Sequence, residues 1–398
     1  MRSFIYIISV LATASAVVAA PQPFNGAKNK GAAPKAIYFM TNGAAENSIV
    51  ALKVGQDGTL SDGSRTLTGG KGASGIDGNN SMPAGPDALF SQSAVKVEGN
   101  WMVAVNAGSN SMSLMSIDTR DPTKLTMVGQ PVDTMGEFPV TAAISRKNKM
   151  ACVGNAGARA GIACFSIHYR KGLIPLAKSQ ISFPINQTTP PVGPTGSVSH
   201  VFFNQDESML LTTVKGQPMK NTTGFLSMLP VRKGQVGTQD TRSSPPGTAV
   251  LFGSVPIPGT KDIFATDASF GAATISTQGT PAIIHKVKIE GQKATCWATI
   301  SAATKTAFVA DTLQDNLVEI DPRTGAILQN TKLMQGNPGY VDLLVGGKFV
   351  YALSPGSKDG TRKAYVAVVD VSSRPARPVQ NFQPPGPGRS SMGMTAFM

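Results

Sequence analysis

One motif, repeated seven times, governs what this 398-residue chain can fold into. A short apolar strand ends in a small or polar residue, a Gly/Asn/Ser-rich turn follows, and a second alternating strand returns. It reads "AIYFMTNGAAENSIVALKV" from Ala36, "WMVAVNAGSNSMSLMSID" from Trp101, "KMACVGNAGARAGIACFSIH" from Lys149 and "MLLTTVKGQPMKNTTGFLSML" from Met209. Three more copies start at Asp262, Thr306 and Phe349. The residues entering the turns are Asn42, Asn106, Asn155, Lys215, Asp267, Asp311 and Ser354. Most copies have another apolar strand before them, such as "VTAAIS", "SHVFFN" or "CWATIS", and many have a fourth behind. Four antiparallel strands in a unit of about 40–60 residues, repeated radially, make a β-propeller blade. The expectation is an all-β, single-domain, seven-bladed propeller over residues 35–398, with the C-terminal "SSMGMTAFM" pairing into the first blade to close the ring.

Residues 1–20 read as a secretory leader. Arg2 precedes the apolar run "FIYIISVLATASAVVAA", and small residues at Val18 and Ala20 place a cut after Ala20. The run is too short for a good membrane anchor, so a soluble extracellular or wall-associated chain with an N-terminal linker over 21–34 and no membrane span is expected. Three sequons, at Asn79, Asn186 and Asn221, fit export and predict glycosylation.

Without Arg2 the chain keeps 35 basic against 23 acidic side chains. The basic residues are scattered, with few aromatics among them, which argues against nucleic acid as a partner. A cationic surface that attracts acidic wall polymers fits better. The three histidines are far apart, and the aspartates lack calcium-loop spacing, so neither a metal nor any other cofactor is expected. Cys152 and Cys164 stand on neighbouring strands of the third repeat, each three residues from the loop bounded by Asn155 and Gly161. Export permits oxidation, which predicts a disulfide across this hairpin and leaves Cys296 as a buried free thiol.

The phrases "VGQDGTLS", "FSQSAVKVEGNWMVAVNAGSNSMSLMSID", "GEFPVTAAISRKNKMACVGNAG", "CWATISAATKTAFVADT" and "RTGAIL" resemble the lactonase-type seven-bladed propellers. That group contains 6-phosphogluconolactonase and fungal 3-carboxymuconate cyclase, and the likeness is to secreted cyclase-like members. It implies a cycloisomerase or lactonase acting on a small carboxylated molecule or lactone; separately, the chain is expected to be a monomer. It also places His200, in "GSVSHVFFNQDES", where the family's histidine opens an inner strand. A cyclase must move a proton next to a carboxylate, which needs a base and cations. His200 fits the first role, and Arg159 or Lys215 the second.

Two departures weigh against catalysis. Where family enzymes carry an arginine-rich inner-strand phrase and a following glutamate, this chain reads "FGSVPIPGTKDIFATDASF". There is no arginine, and Asp267 is a shortened substitute for the general acid/base. Propeller geometry is expected to gather the turns and the inner-strand starts around one mouth, with Glu137, Trp297, Tyr340, Asp311 and Asp342 beside Arg159 and Lys215 as substrate contacts. Two classes of function stay open: a lactone-handling enzyme, or an inactive propeller that binds wall, matrix or host molecules.

Overall fold

The computed structural model describes residues 33–333, 339–357, 361, 363–386 and 388–398. The leader expected over residues 1–20 lies outside them, as does all but the end of the linker. Seven antiparallel sheets follow in chain order, each a blade of at least four strands. The innermost strands of blades 2 to 7 are Val95–Glu98, Pro139–Ser145, Val198–Phe203, Leu251–Pro256, Thr295–Ile300 and Leu343–Gly346. Blade 1 takes its innermost strand from the chain's end: Met392–Phe397 pairs antiparallel with Ala36–Met40. The ring is therefore closed by hydrogen bonds between the two ends of the described chain, and sheet edges remain only at the outer strands of the blades. Among the described residues no helix is long and apolar enough to cross a membrane.

The strands form where alternation places Val, Ile, Leu, Phe and Ala on both blade faces, because each blade is covered by its neighbours. Strands such as Trp101–Asn106 and Met150–Asn155 are buried at every position. Small residues appear where blades converge. At Gly154, an added Cβ would meet Thr141 Cγ2 at 2.7 Å and Val198 Cγ1 at 3.1 Å. Such narrowing toward the axis is why the inner halves of the blades are rich in Gly, Ala, Ser and Thr.

In several blades the polar residue that ends the second strand has a structural job. Asp267 accepts hydrogen bonds from the backbone N–H groups of Ala249 and Val250, just before its own blade's innermost strand. Asp311 does the same for Lys293 and Ala294 in blade 6. Asn106 is tied to Asn47, Thr68 and Ser113. Each clasps a turn to a neighbouring connection, satisfying backbone or side-chain groups that burial would otherwise leave unpaired.

The predicted disulfide is present. Cys152 and Cys164 sit directly opposite in the hairpin register, with Cα atoms 4.1 Å apart, the close spacing of a non-hydrogen-bonded antiparallel pair. Cys296 is buried and free. Replacing both paired cysteines by alanine should lower stability by about 2–3 kcal/mol, the chain-entropy value for a loop of this size. Thermal unfolding of the double variant beside the wild type checks this; equal midpoints would show that the staple is redundant.

Candidate functional site

Seven blades leave a bore along the axis, and its two ends differ. At the end where the innermost strands begin, residues 90–93 pass across the bore as a strap. The Nζ of Lys215 donates to the Phe90 carbonyl at 2.5 Å, and Trp297 Nε1 donates to the Ser91 carbonyl at 3.3 Å. Ser91 Oγ donates to the Val140 carbonyl, and the Ser93 carbonyl accepts from Ala142 N–H. The Gln92 amide bonds both the N–H and the carbonyl of Ala298 at 3.0 Å. The strap is thus fastened to blades 3, 4 and 6. Phe252 of blade 5 packs edge-on against Trp297 beneath it, with ring centroids 5.1 Å apart.

This corrects the expectation of a ligand mouth at that end. Lys215 is buried under the strap, its ammonium 4.5 Å from the Phe252 ring centroid. Burial lowers its pKa, while the nearby Asp87 carboxylate favours its charge. Trp297 and Tyr340 are fully buried. Asp267 and Asp311 are the turn clasps already described. Arg159 is 61% exposed and paired with Glu137 at 2.9 Å. Hydrogen bonds from Thr189 and Arg159 hold the Glu137 carboxyl below its usual range. None of these seven residues lines the bore cavity.

The cavity opens at the opposite end. It has a volume of about 440 Å³ and runs from the strap to a rim that includes Glu98, Gln205, Pro256 and Met398. Its floor carries Ser93, Lys96, His200, Ser254 and Asp342. Of the predicted site residues only His200 and Asp342 line it.

His200 is the third residue of its inner strand and is 3% exposed. Its Nε2 lies 3.0 Å from Ser93 Oγ, and its Nδ1 accepts the Ser254 backbone N–H at 3.2 Å. Burial, and then the charge of Lys96, push its pKa well below the usual histidine range, so the ring is neutral at physiological pH. Asp342 accepts from Leu343 N–H at 2.8 Å and from Met394 N–H at 2.7 Å, which ties blade 7 to the closing strand. Burial outweighs those bonds and raises its pKa to about 7. Lys96 is half-buried; burial lowers its pKa, against the favourable charges of Glu98 and Asp342.

The cavity floor therefore holds one cation, one carboxyl that titrates near neutrality and one neutral imidazole, within a space sized for a small molecule. Lys96 and Ser93 were missed in the sequence. The available signal was the period-two pattern of "AVKVE", where a lysine and a glutamate alternate with buried valines on an innermost strand. Charges that share an axial face with no solvent layer behind them are informative in a way that surface charges are not. Among the described residues no group of three or more His, Cys, Asp or Glu side chains is placed to hold a metal ion.

Fold and cavity together define a seven-bladed propeller with a bore that is blind at one end. Among solved structures, the chain is similar to the periplasmic gluconolactonase of Pseudomonas aeruginosa, with TM-score 0.63 and 14% identity over 91% of this chain and 99% of that one. A Bacteroides fragilis protein provisionally assigned as a 6-phosphogluconolactonase gives 0.61 and 11%, covering 93% and 99%. A Bacteroides uniformis protein with the same provisional assignment gives 0.55 and 17%, covering 72% and 83%. At these identities the likeness shows the fold, a seven-bladed propeller. No protein-family model matches the sequence, and no curated protein matches it.

Proposed function

We propose that this chain binds a small carboxylated molecule or lactone in the blind bore, as a lactonase-type propeller. The observation that carries this is the convergence of Lys96, Asp342 and His200 on the floor of a cavity of about 440 Å³. Lys96 neutralises the ligand's carboxylate, and the rim opposite the strap is its entrance. Asp342 exchanges a proton near neutral pH, which is what lactone opening or closure needs from a general acid/base. The similarity to gluconolactonase-type propellers supports that substrate class. In the same reading the chain is exported, acts as a monomer and carries glycans on Asn79, Asn186 and Asn221, all three exposed in the structure.

Binding without turnover, to a free carboxylate or to an acidic wall, matrix or host molecule, is the second reading. It is favoured by His200, whose two ring nitrogens are both engaged, and by Asp267, whose carboxylate is used up in a turn. The test is a panel of muconates and simple lactones with purified protein. Ligand-dependent stabilisation with turnover supports the enzyme, and stabilisation alone supports the binding protein. No stabilisation by any carboxylate or lactone refutes the bore as a site.

The pH dependence has a definite sign. Below about pH 7 the Asp342 carboxyl is neutral while Lys96 is charged, so the floor attracts an anion. As pH rises through 7, Asp342 ionises and opposes the ligand; the lowered pKa of Lys96 acts in the same direction. Neutral His200 adds no titration in this range. Muconate affinity measured calorimetrically should fall on the order of tenfold between pH 6 and 8, the scale of one 1.4 kcal/mol electrostatic change. Asp342→Asn should flatten the profile; an unchanged slope in that variant would assign the titration elsewhere.

A further inference from the structure

Building on the reading of the bore as a carboxylate site, we propose that the Ser93 hydroxyl is the hydrogen-bond donor that receives the ligand's carboxylate beside Lys96, with His200 acting as a positioning residue that orients it. The direction of every bond in this chain follows from its first member. The Ser254 backbone N–H can only donate, so His200 Nδ1 must accept it and carries no proton. The ring is neutral, so its single proton sits on Nε2. That N–H donates to Ser93 Oγ at 3.0 Å. Ser93 Oγ is thereby an acceptor toward His200, and its own hydrogen turns away from the ring.

Ser93 lines the cavity and is 6% exposed. Among the described residues its Oγ has His200 as its one bonding partner, which leaves the O–H free to donate toward the cavity. A buried donor without an acceptor is costly, and an anion delivered next to Lys96 satisfies both groups. The same direction rules out Ser93 as a nucleophile activated by His200, because an imidazole that donates to a hydroxyl cannot also take its proton.

The backbone agrees. Ser93 has φ of 65°, in the left-handed region, where glycine is the default and other residues are strained by about 1 kcal/mol or more. The strap holds it there through the Ala142 N–H bond to the Ser93 carbonyl, 2.8 Å long. A serine kept in a conformation that favours glycine has a side chain that contributes something glycine would not.

Two measurements test this. Titration calorimetry with cis,cis-muconate should show affinity reduced about tenfold or more in Ser93→Gly, the loss of one hydrogen bond to a charged group. Ser93→Gly relieves the left-handed strain but takes the acceptor from the His200 Nε2–H, so thermal melting beside the wild type accompanies the titration and separates lost binding from lost folding. Nitrogen-15 NMR of the imidazole should show His200 as the Nε2–H tautomer, unchanged from pH 5.5 to 8. A wild type that binds muconate while Ser93→Gly binds it equally well overturns the donor role and leaves the bore as the site. An Nδ1–H tautomer also overturns it. A wild type that does not bind muconate sinks the donor role together with a muconate-binding bore.

Discussion

Trp297→Ala should cost about 3–5 kcal/mol of stability, the largest single loss expected from any side chain tied to the strap. The indole is fully buried, packs edge-on against Phe252 and donates through Nε1 to the Ser91 carbonyl. Truncation removes the transfer free energy of a large aromatic ring and opens a cavity at the bore's closed end. It also frees the Ser91 carbonyl and loosens the strap. Trp297→Phe keeps most of the ring while losing the hydrogen bond, so about 1–2 kcal/mol is expected there. Denaturant midpoints at constant slope measure both. If Trp297→Ala unfolds with the wild type, the strap is not fastened as described, and a bore open at both ends would have to be considered.

Lys96→Met has the largest expected effect on binding. The methionine fills nearly the same space and replaces a half-buried ammonium, so the variant should be at least as stable as the wild type. A ligand carboxylate, however, would enter the cavity with no cation to meet it. Truncating one member of a desolvated charge pair costs about 2–5 kcal/mol, which means a loss of roughly thirtyfold or more in muconate affinity. Binding by calorimetry, with thermal melting as the folding control, decides it. Equal affinity in Lys96→Met would refute Lys96 as the ligand's counter-ion, while Arg159→Met, on the outer surface, should leave affinity unchanged.

These expectations differ from a sequence-level reading in an instructive way. Arg159 and Lys215 are the cations nearest the turns in the sequence pattern, and both are spoken for. Arg159 lies outside with Glu137, and Lys215 is a strut under Phe90. The aspartates divide likewise. Asp267 and Asp311 end second strands and face the connection into their own blade, so their carboxylates are filled by backbone donors. Asp342 precedes an innermost strand and therefore reaches the bore as well as the backbone. Lys96 gives no motif at all; its importance comes from the axial position of its strand.

The amino-acid sequence alone was sufficient for the seven repeats, the four-stranded blade, the closing C-terminal strand and the Cys152–Cys164 staple. All of these are local or periodic: alternation sets the strand faces, turn residues set the hairpins, and hairpin register brings the two cysteines opposite each other. The direction in which the bore opens was decided only by the tertiary structure. It depends on a strap of four residues between the first and second blades whose partners lie up to 206 positions away, as at Gln92 and Ala298. Contacts of that range leave no period in the sequence. They alone determine that His200 and Asp342 share their cavity with Lys96 and Ser93, and that Lys215 and Trp297 close it.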